Sequence, residues 1–273
     1  MFDSIAGDYD SLNHILSLDV DKIWRKKALK QIVDAPAPAR VLDLACGTGD
    51  FSIAIAKALS RSHKRVGTPI EAHAKASVKA PVEAQVTSTG FVTGDSGRSD
   101  LMTKGHVTGV DLSEGMLAVM REKVQKSGLT EMISIEEGDG ENLRFPDNTF
   151  DRVTIAFGIR NFENREKGLR EMLRVLKPGG RLVILELSRP ENKIIRWFYD
   201  LYFLHILPKI GGKVSGDKAA YAYLPASVAA FPGKKEFSAT MREAGFRAVT
   251  HKAFTLGICR MYTCETEGKK SGM

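Results

Sequence analysis

The chain has 273 residues, 43% hydrophobic and 27% charged, with a formal net charge of +7. That is the composition of a soluble globular protein large enough to need no disulfide or metal staple. Three cysteines, Cys46, Cys259 and Cys264, give neither a disulfide framework nor zinc-ligand spacing, so a reducing compartment and no metal are expected. No run of about 18 apolar residues is present to span a bilayer. Met1 leads directly into Phe2-Asp3-Ser4-Ile5 without a basic-plus-apolar leader, so a cytoplasmic location is expected.

An early helix is expected around Asp21–Lys30, rich in lysine and arginine. Its charge suits a solvated face, nucleic acid or an anionic lipid surface. Arg40–Leu44 reads as a buried strand and Phe51–Leu59 as a helix. Residues Ser60–Gly105 are rich in Ser, Thr, Lys, Ala and Gly and show no sustained period. A connection of about 2–6 residues is usual there, so this stretch reads as a loosely folded or disordered insertion, with a lid or partner-binding element as the alternative.

Strands follow at His106–Asp111, Met132–Glu136, Phe150–Ala156 and Arg181–Glu186, with helices at Glu114–Lys126 and Arg165–Leu176. Pro178-Gly179-Gly180 is expected to stop the second of these helices. Near the end, Lys234–Ala244 reads as a helix, and Phe246–Phe254 and Cys259–Glu265 as two strands too close for a helical crossover. The alternation predicts a single α/β domain over residues 1–273, a mostly parallel sheet ending in an antiparallel hairpin. Cys259 and Cys264, five apart on one strand, should face opposite ways.

The most informative stretch is Val41-Leu42-Asp43-Leu44-Ala45-Cys46-Gly47-Thr48-Gly49-Asp50. Gly47 and Gly49 after a strand let the backbone turn and approach a ligand, and the next helix start offers free amides. A dinucleotide fingerprint would want a third glycine, where Ser52 stands. Asp43 would repel a pyrophosphate but suits a cation such as a sulfonium bearing an amino group. Asp111 closes the next strand, where an acid can accept both ribose hydroxyls. Alternatively it caps the helix from Glu114, a task Ser113 could also perform. Asp139-Gly140 follows the third strand, either as an ordinary turn or with Asp139 on an adenine amino group and Gly140 leaving room for the ring.

With these motifs in order, the sequence resembles the ubiquinone/menaquinone biosynthesis C-methyltransferases. The matching stretches are Phe2–Asp10, Val41–Asp50, Phe145–Asp151, Phe157-Gly158-Ile159-Arg160-Asn161 and Arg174–Leu187, with further similarity from Tyr199 through Pro208 to Tyr221–Leu224. The resemblance covers nearly the whole chain except Ser60–Gly105. It implies a Rossmann-like class I methyltransferase fold with a seven-stranded sheet, and S-adenosylmethionine as cofactor. The family's cofactor contacts fall on Thr48, Asp111, Asp139 and Gly140. A further contact, commonly serine, is Ala156 here, which keeps the backbone and loses a hydroxyl.

The reaction the resemblance implies is C-methylation of a prenylated quinol, such as demethylmenaquinol or a ubiquinone precursor. Arg160 would stabilise a developing quinolate, Asn161 would orient the ring oxygen, and Tyr9 would accept or relay a proton. The bland alternative pairs Arg160 with Glu163 or Glu166. The apolar stretch Ile194–Leu207 would serve a greasy tail or touch the inner face of a membrane, or else be a core helix. Self-association is left open. Rival readings are a methyltransferase for another lipophilic acceptor, an RNA methyltransferase and a nicotinamide oxidoreductase. No appended RNA-binding domain or aromatic-plus-basic platform is visible, so no nucleic-acid partner is expected.

Overall fold

The computed structural model describes residues 19–34, 39–66, 105–202 and 218–268. Seven strands form one sheet: β1 Arg40–Leu44, β2 His106–Asp111, β3 Ile133–Glu137, β4 Phe150–Ala156, β5 Leu176–Leu187, β6 Arg247–Phe254 and β7 Cys259–Glu265. Their spatial order is β3-β2-β1-β4-β5-β7-β6. The first five run parallel, and β7 lies antiparallel between β5 and β6. The order reverses between β1 and β4, so the crevice beyond their carboxyl ends is where a ligand binds in such sheets.

The described helices are α1 Val20–Ile32, α2 Asp50–Val66, α3 Glu114–Lys126, α4 Arg165–Val175, α5 Lys193–Leu201, α6 Lys218–Ala230 and α7 Lys234–Glu243. Strand alternation sends side chains to two cores. Val41 of β1 joins Trp24, Ile55 and Met120 from α1, α2 and α3. Leu42 and Leu44 join Leu169 and Met172 of α4 and Phe237 and Met241 of α7. Cys259 and Cys264 are both buried, one in each core, as alternation along β7 requires.

Helix α2 continues seven residues beyond Leu59 to Val66, so the first residues assigned to the insertion extend a helix. Residues 67–104 lie outside the described residues. Helix α4 stops at Val175, before Pro178-Gly179-Gly180, which lies within β5. The pairing jumps from Leu176 opposite Phe150 to Arg181 opposite Arg152, so these three residues, with Lys177 before them, loop out of the ladder with β4. Proline, with no N–H to donate, is suited to such a place. The Gly180 amide donates to Thr266 Oγ1 at 3.0 Å.

The conspicuous run Phe145–Thr149 also has a structural cause. Arg174 at the end of α4 donates to the carbonyls of Leu143 and Phe145 and pairs with Asp147 at 2.8 Å. The Asn148 amide returns to the Arg174 carbonyl. One guanidinium thus folds the turn that delivers β4.

Phe237 is fully buried between Phe231, at 4.8 Å, and Tyr262, at 4.9 Å between ring centroids. Truncation of a buried aromatic loses its transfer energy and leaves a cavity, so Phe237→Ala is expected to destabilise the fold by about 3–5 kcal/mol in urea unfolding.

Candidate active site

Strand β1 ends on Leu44, and the chain turns immediately into α2. Ala45, Gly47 and Gly49 take positive φ, and Gly49 at 83° is the sharpest. A Cβ on Gly49 would also stand 2.4 Å from Met120 Cγ of α3, so both backbone shape and packing require glycine. The loop is fastened to β2: the Cys46 amide donates to the Val110 carbonyl at 3.1 Å, and the Gly47 amide to Asp111 Oδ2 at 2.8 Å.

Asp43 lies under this loop and is 1% exposed. Its Oδ2 accepts from Ser52 Oγ at 2.6 Å, while Oδ1 is buried with no hydrogen-bond partner. Burial pushes this carboxyl up to about 7, with Asp111 adding to the shift and Ser52 and Arg25 opposing it. A buried anion short of one partner is costly unless something positive or hydrogen-bonding reaches it. The same burial pushes the Cys46 thiol well up, so it stays protonated.

Asp111 accepts from the amides of Gly47 and Ser113. The cap of α3 is Ser113, whose Oγ accepts from the Met116 amide at 3.3 Å. Asp111 therefore fixes the glycine loop to the end of β2. Thr48 is buried, with its hydroxyl accepting from Lys123 at 3.1 Å. Asp139 folds its own turn by accepting from the Glu141 amide at 2.8 Å. The Gly138 amide bonds the Asp111 carbonyl, which brings that turn beside β2. A Cβ on Gly140 would stand 2.6 Å from Phe162 Cζ, so the side chain that needs this glycine's space is Phe162.

Strand β4 ends on Ala156. Phe157 then takes φ 62° and the turn Ile159–Asn161 follows. A Cβ on Gly158 would meet Ala45 Cβ at 2.4 Å, so this turn packs directly on the glycine loop. Arg160 pairs with Glu186 at 3.0 Å, with side chains 7% and 0% exposed. Its backbone amide also donates to Glu186, its Nε reaches Ser227 Oγ at 3.3 Å, and Nη1 reaches the Phe157 carbonyl. Neither Glu163 nor Glu166 is its partner; Glu166 pairs with Arg170.

The Nη2 group of Arg160 makes no hydrogen bond to the described residues. Asn161 accepts from the Tyr223 hydroxyl at 3.0 Å through Oδ1, leaving its amide nitrogen as a donor. Two donors on consecutive residues thus stand at the carboxyl end of β4, beside the glycine loop.

Asp43, Gly47, Thr48, Gly49 and Asp111 are brought together, with Asp139-Gly140 on one side and Ala156, Arg160 and Asn161 on the other. Tyr9 lies outside the described residues. Glu186, Ser227 and Tyr223 were not singled out from sequence. Tyr223 sits in the resembling run Tyr221–Leu224, but its partner is 62 residues away, and no local pattern announces it. Among the described residues no group of three or more His, Cys, Asp or Glu could hold a metal ion. No described helix is long and apolar enough to cross a membrane.

Solved structures with similar folds include a SAM-dependent methyltransferase from Aquifex aeolicus, with TM-score 0.52, 19% identity and coverage of 88% of each chain. The [4+2]-cyclase SpnF has TM-score 0.57 and 16% identity over 89% of this chain and 82% of its own. These likenesses show the fold alone. Relatives by sequence are closer. The ubiquinone/menaquinone biosynthesis C-methyltransferase UbiE of Geobacter sulfurreducens is 43% identical over 265 residues, covering 97% of this chain and 86% of its own. The demethylmenaquinone methyltransferase of Bacteroides fragilis is 38% identical over 263 residues, covering 96% and 89%. A model of the ubiE/COQ5 methyltransferase family matches residues 1–265, and the chain belongs to that family.

Proposed function

We propose that this methyltransferase carries a methyl group from S-adenosylmethionine to a ring carbon of a prenylated quinol, demethylmenaquinol foremost and a ubiquinone precursor as a second acceptor. The observation that carries the acceptor half is the pair of unused donors, Arg160 Nη2 and the Asn161 amide, beside the glycine loop. A quinol ring oxygen that gains negative charge as the ring reacts is a suitable partner for both.

The cofactor half rests on Asp43. Its unpartnered buried oxygen fits a cationic ligand, and Asp111, an acid at the close of β2 tied to the Gly47 amide, is proposed to face the ribose hydroxyls. Thr48, the amides of the Gly47–Gly49 turn, Asp139 and the Ala156 backbone complete the set of residues proposed to hold the cofactor. When bound, S-adenosylmethionine supplies an electrophilic methyl group on a sulfonium.

The protein's own residues then do three things. Arg160 and Asn161 donate to the ring oxygen and stabilise the quinolate left when its hydroxyl gives up a proton, and it is that quinolate which is electron-rich at the neighbouring carbon. Glu186 fixes the Arg160 guanidinium from behind and offsets much of its charge, which makes Arg160 a directional donor more than a bare cation. Tyr223 orients Asn161 through its hydroxyl. Tyr9, whose place the structure does not describe, stays the proposed proton acceptor. One proton is released overall: the hydroxyl proton passes to a base as the ring carbon takes the methyl group, and the ring carbon then loses its own proton while the ring oxygen is reprotonated.

Peripheral contact with the inner membrane face is part of this reading, because the acceptor's tail is apolar. The 60–105 segment is proposed to be an insertion into an otherwise single domain.

The direct test is methyl-labelled S-adenosylmethionine with a reduced demethylmenaquinone analogue: label in the quinone is expected. Cofactor binding without label in the quinone would overturn the acceptor. In steady-state kinetics, Arg160→Ala and Asn161→Ala are each expected to lower kcat about 100-fold or more while leaving cofactor Kd within about twofold. Tyr223→Phe should lower kcat about tenfold, since it removes an orienting hydrogen bond and not a substrate donor.

Asp43 gives a pH prediction. Its carboxyl lies at about 7 when folded against 3.8 as a free side chain, so between those values the folded chain binds more protons than the unfolded one. Stability from this group therefore falls as pH rises through that window and is level above it. Asp43→Asn should unfold at higher urea than the natural chain above about pH 7, lose that advantage near about pH 4, and bind cofactor at least tenfold more weakly (roughly the loss of one charge-assisted contact). A natural chain whose urea midpoint does not change across that window relative to Asp43→Asn would contradict the assignment.

A further inference from the structure

We infer that the outer face formed by α1, the Thr255–Gly257 turn and α5 is a docking surface for an anionic lipid membrane. The inference extends the proposed function by naming the surface. Its evidence is independent of the quinol, because none of these side chains belongs to the site described above.

Helix α5 places Ile194, Trp197, Phe198 and Leu201 at i, i+3, i+4 and i+7, on one stripe. That stripe faces outward: Ile194 is 69%, Trp197 61% and Phe198 61% exposed. Tyr199, on the opposite side of the helix, is buried against Val228 of α6. An amphipathic helix normally buries its apolar stripe, and here the stripe stands exposed among the described residues.

Two more elements lie on the same surface. Trp24 of α1 donates from Nε1 to Thr255 Oγ1 at 2.9 Å, and Lys27 Nζ lies 4.8 Å from the centroid of the Phe254 ring. On its other side the turn is held by Ser188 Oγ, which donates to the Gly257 carbonyl at 2.8 Å. Arg196 of α5 in turn donates to the Pro190 carbonyl. Direct contacts thus run from α1 through the turn to α5. At the apex of the turn Leu256 is held at φ 56° and is 72% exposed, a strained backbone presenting an apolar side chain to the outside. On α1, Ile23 is exposed, and Lys26, Lys27 and Lys30 recur beside it at i+3, i+4 and i+7.

Charge decides the occupant. Lys26, Lys27, Lys30, Lys193, Arg196 and Lys252 make no ion pair with any described residue, whereas the acids nearby are spent. Asp19 pairs with Lys22, Asp200 with Arg189, and Glu191 with Lys234 and Arg260. Apolar and aromatic side chains interleaved with unneutralised lysines match the boundary between acyl chains and anionic headgroups, where tryptophan is favoured. A purely apolar protein partner would leave these cations without counter-charge. The consequence for catalysis is positional: the inward face of α5 meets the elements that carry Ser227 and Tyr223, so a membrane on its outward face lies next to the acceptor site.

The chain has two tryptophans, Trp24 buried and Trp197 exposed, so a change in emission on binding reports Trp197. The test is sedimentation of the full chain with vesicles of phosphatidylcholine alone or mixed with phosphatidylglycerol, without cofactor or quinol. Binding to the mixed vesicles is expected, with a blue shift of emission and quenching by brominated acyl chains. Trp197→Ser with Phe198→Ser should reduce partitioning about tenfold or more without lowering Tm, as should Lys26→Glu with Lys30→Glu, which should also flatten the dependence on salt. Four results would overturn the inference: no binding, binding without a change in Trp197 emission, equal binding to neutral vesicles, or a dimer in light scattering that the serine pair dissociates. Because no methyl transfer is measured, failure here and failure of the quinol reading are separate outcomes.

Discussion

The site depends on one carboxylate buried in the middle of a parallel sheet. Asp43 sits on the central strand, satisfied on one oxygen by Ser52 and on the other by nothing within the described chain. The geometry around it follows from that position. Gly109 on β2 leaves room for Cys46 and Ser52, since a Cβ there would stand 3.1 Å from Cys46 Sγ and 3.3 Å from Ser52 Oγ. Asp111, one strand over, takes the Gly47 amide of the loop and the Ser113 amide beside itself, and so tethers the loop while raising the Asp43 carboxyl further. An unligated state that carries such a group gives up stability for function, a familiar trade at binding sites.

The acceptor end repeats the logic with a pair instead of a lone charge. Glu186 is fully buried and holds both the backbone amide and the guanidinium of Arg160. The two are neighbours because β4 and β5 are, and both lie where those strands end. Buried ion pairs contribute little net stability but fix geometry when every polar group is partnered. What is left over, one edge of a guanidinium and one amide nitrogen, stands in the turn that packs on the glycine loop.

How much of this was legible in the sequence varied with the range of the interaction. β1, β2, β4, β7 and α3 matched their expected bounds because burial on one or both faces writes a local period. The ends of α2 and β5 did not. Helix α2 runs past Leu59 to Val66, and Pro178-Gly179-Gly180, a strong breaker in isolation, was absorbed as a loop within a strand held by Thr266. In the site, the glycine loop and its acids lie in short runs and could be read directly. Ser52 was read only as the lack of a third glycine, whereas its hydroxyl partners Asp43. The partners of Arg160 and Asn161 stand 26 and 62 residues away, and the nearby glutamates that spacing suggested are not among them.

The fold itself is shared with a cyclase as well as with methyltransferases, so it is the residues at the strand ends, and the family that shares them, that specify the chemistry. The central claim is that Asp43 is the counter-charge for a cationic cofactor. The most direct test is calorimetry of S-adenosylmethionine binding near the carboxyl's value of about 7, in buffers of different ionisation enthalpy. If the ligand's positive charge pulls the carboxyl down, binding releases a fraction of a proton in the natural chain and none in Asp43→Asn. Binding with no proton release, or with the same release in both proteins, would contradict it.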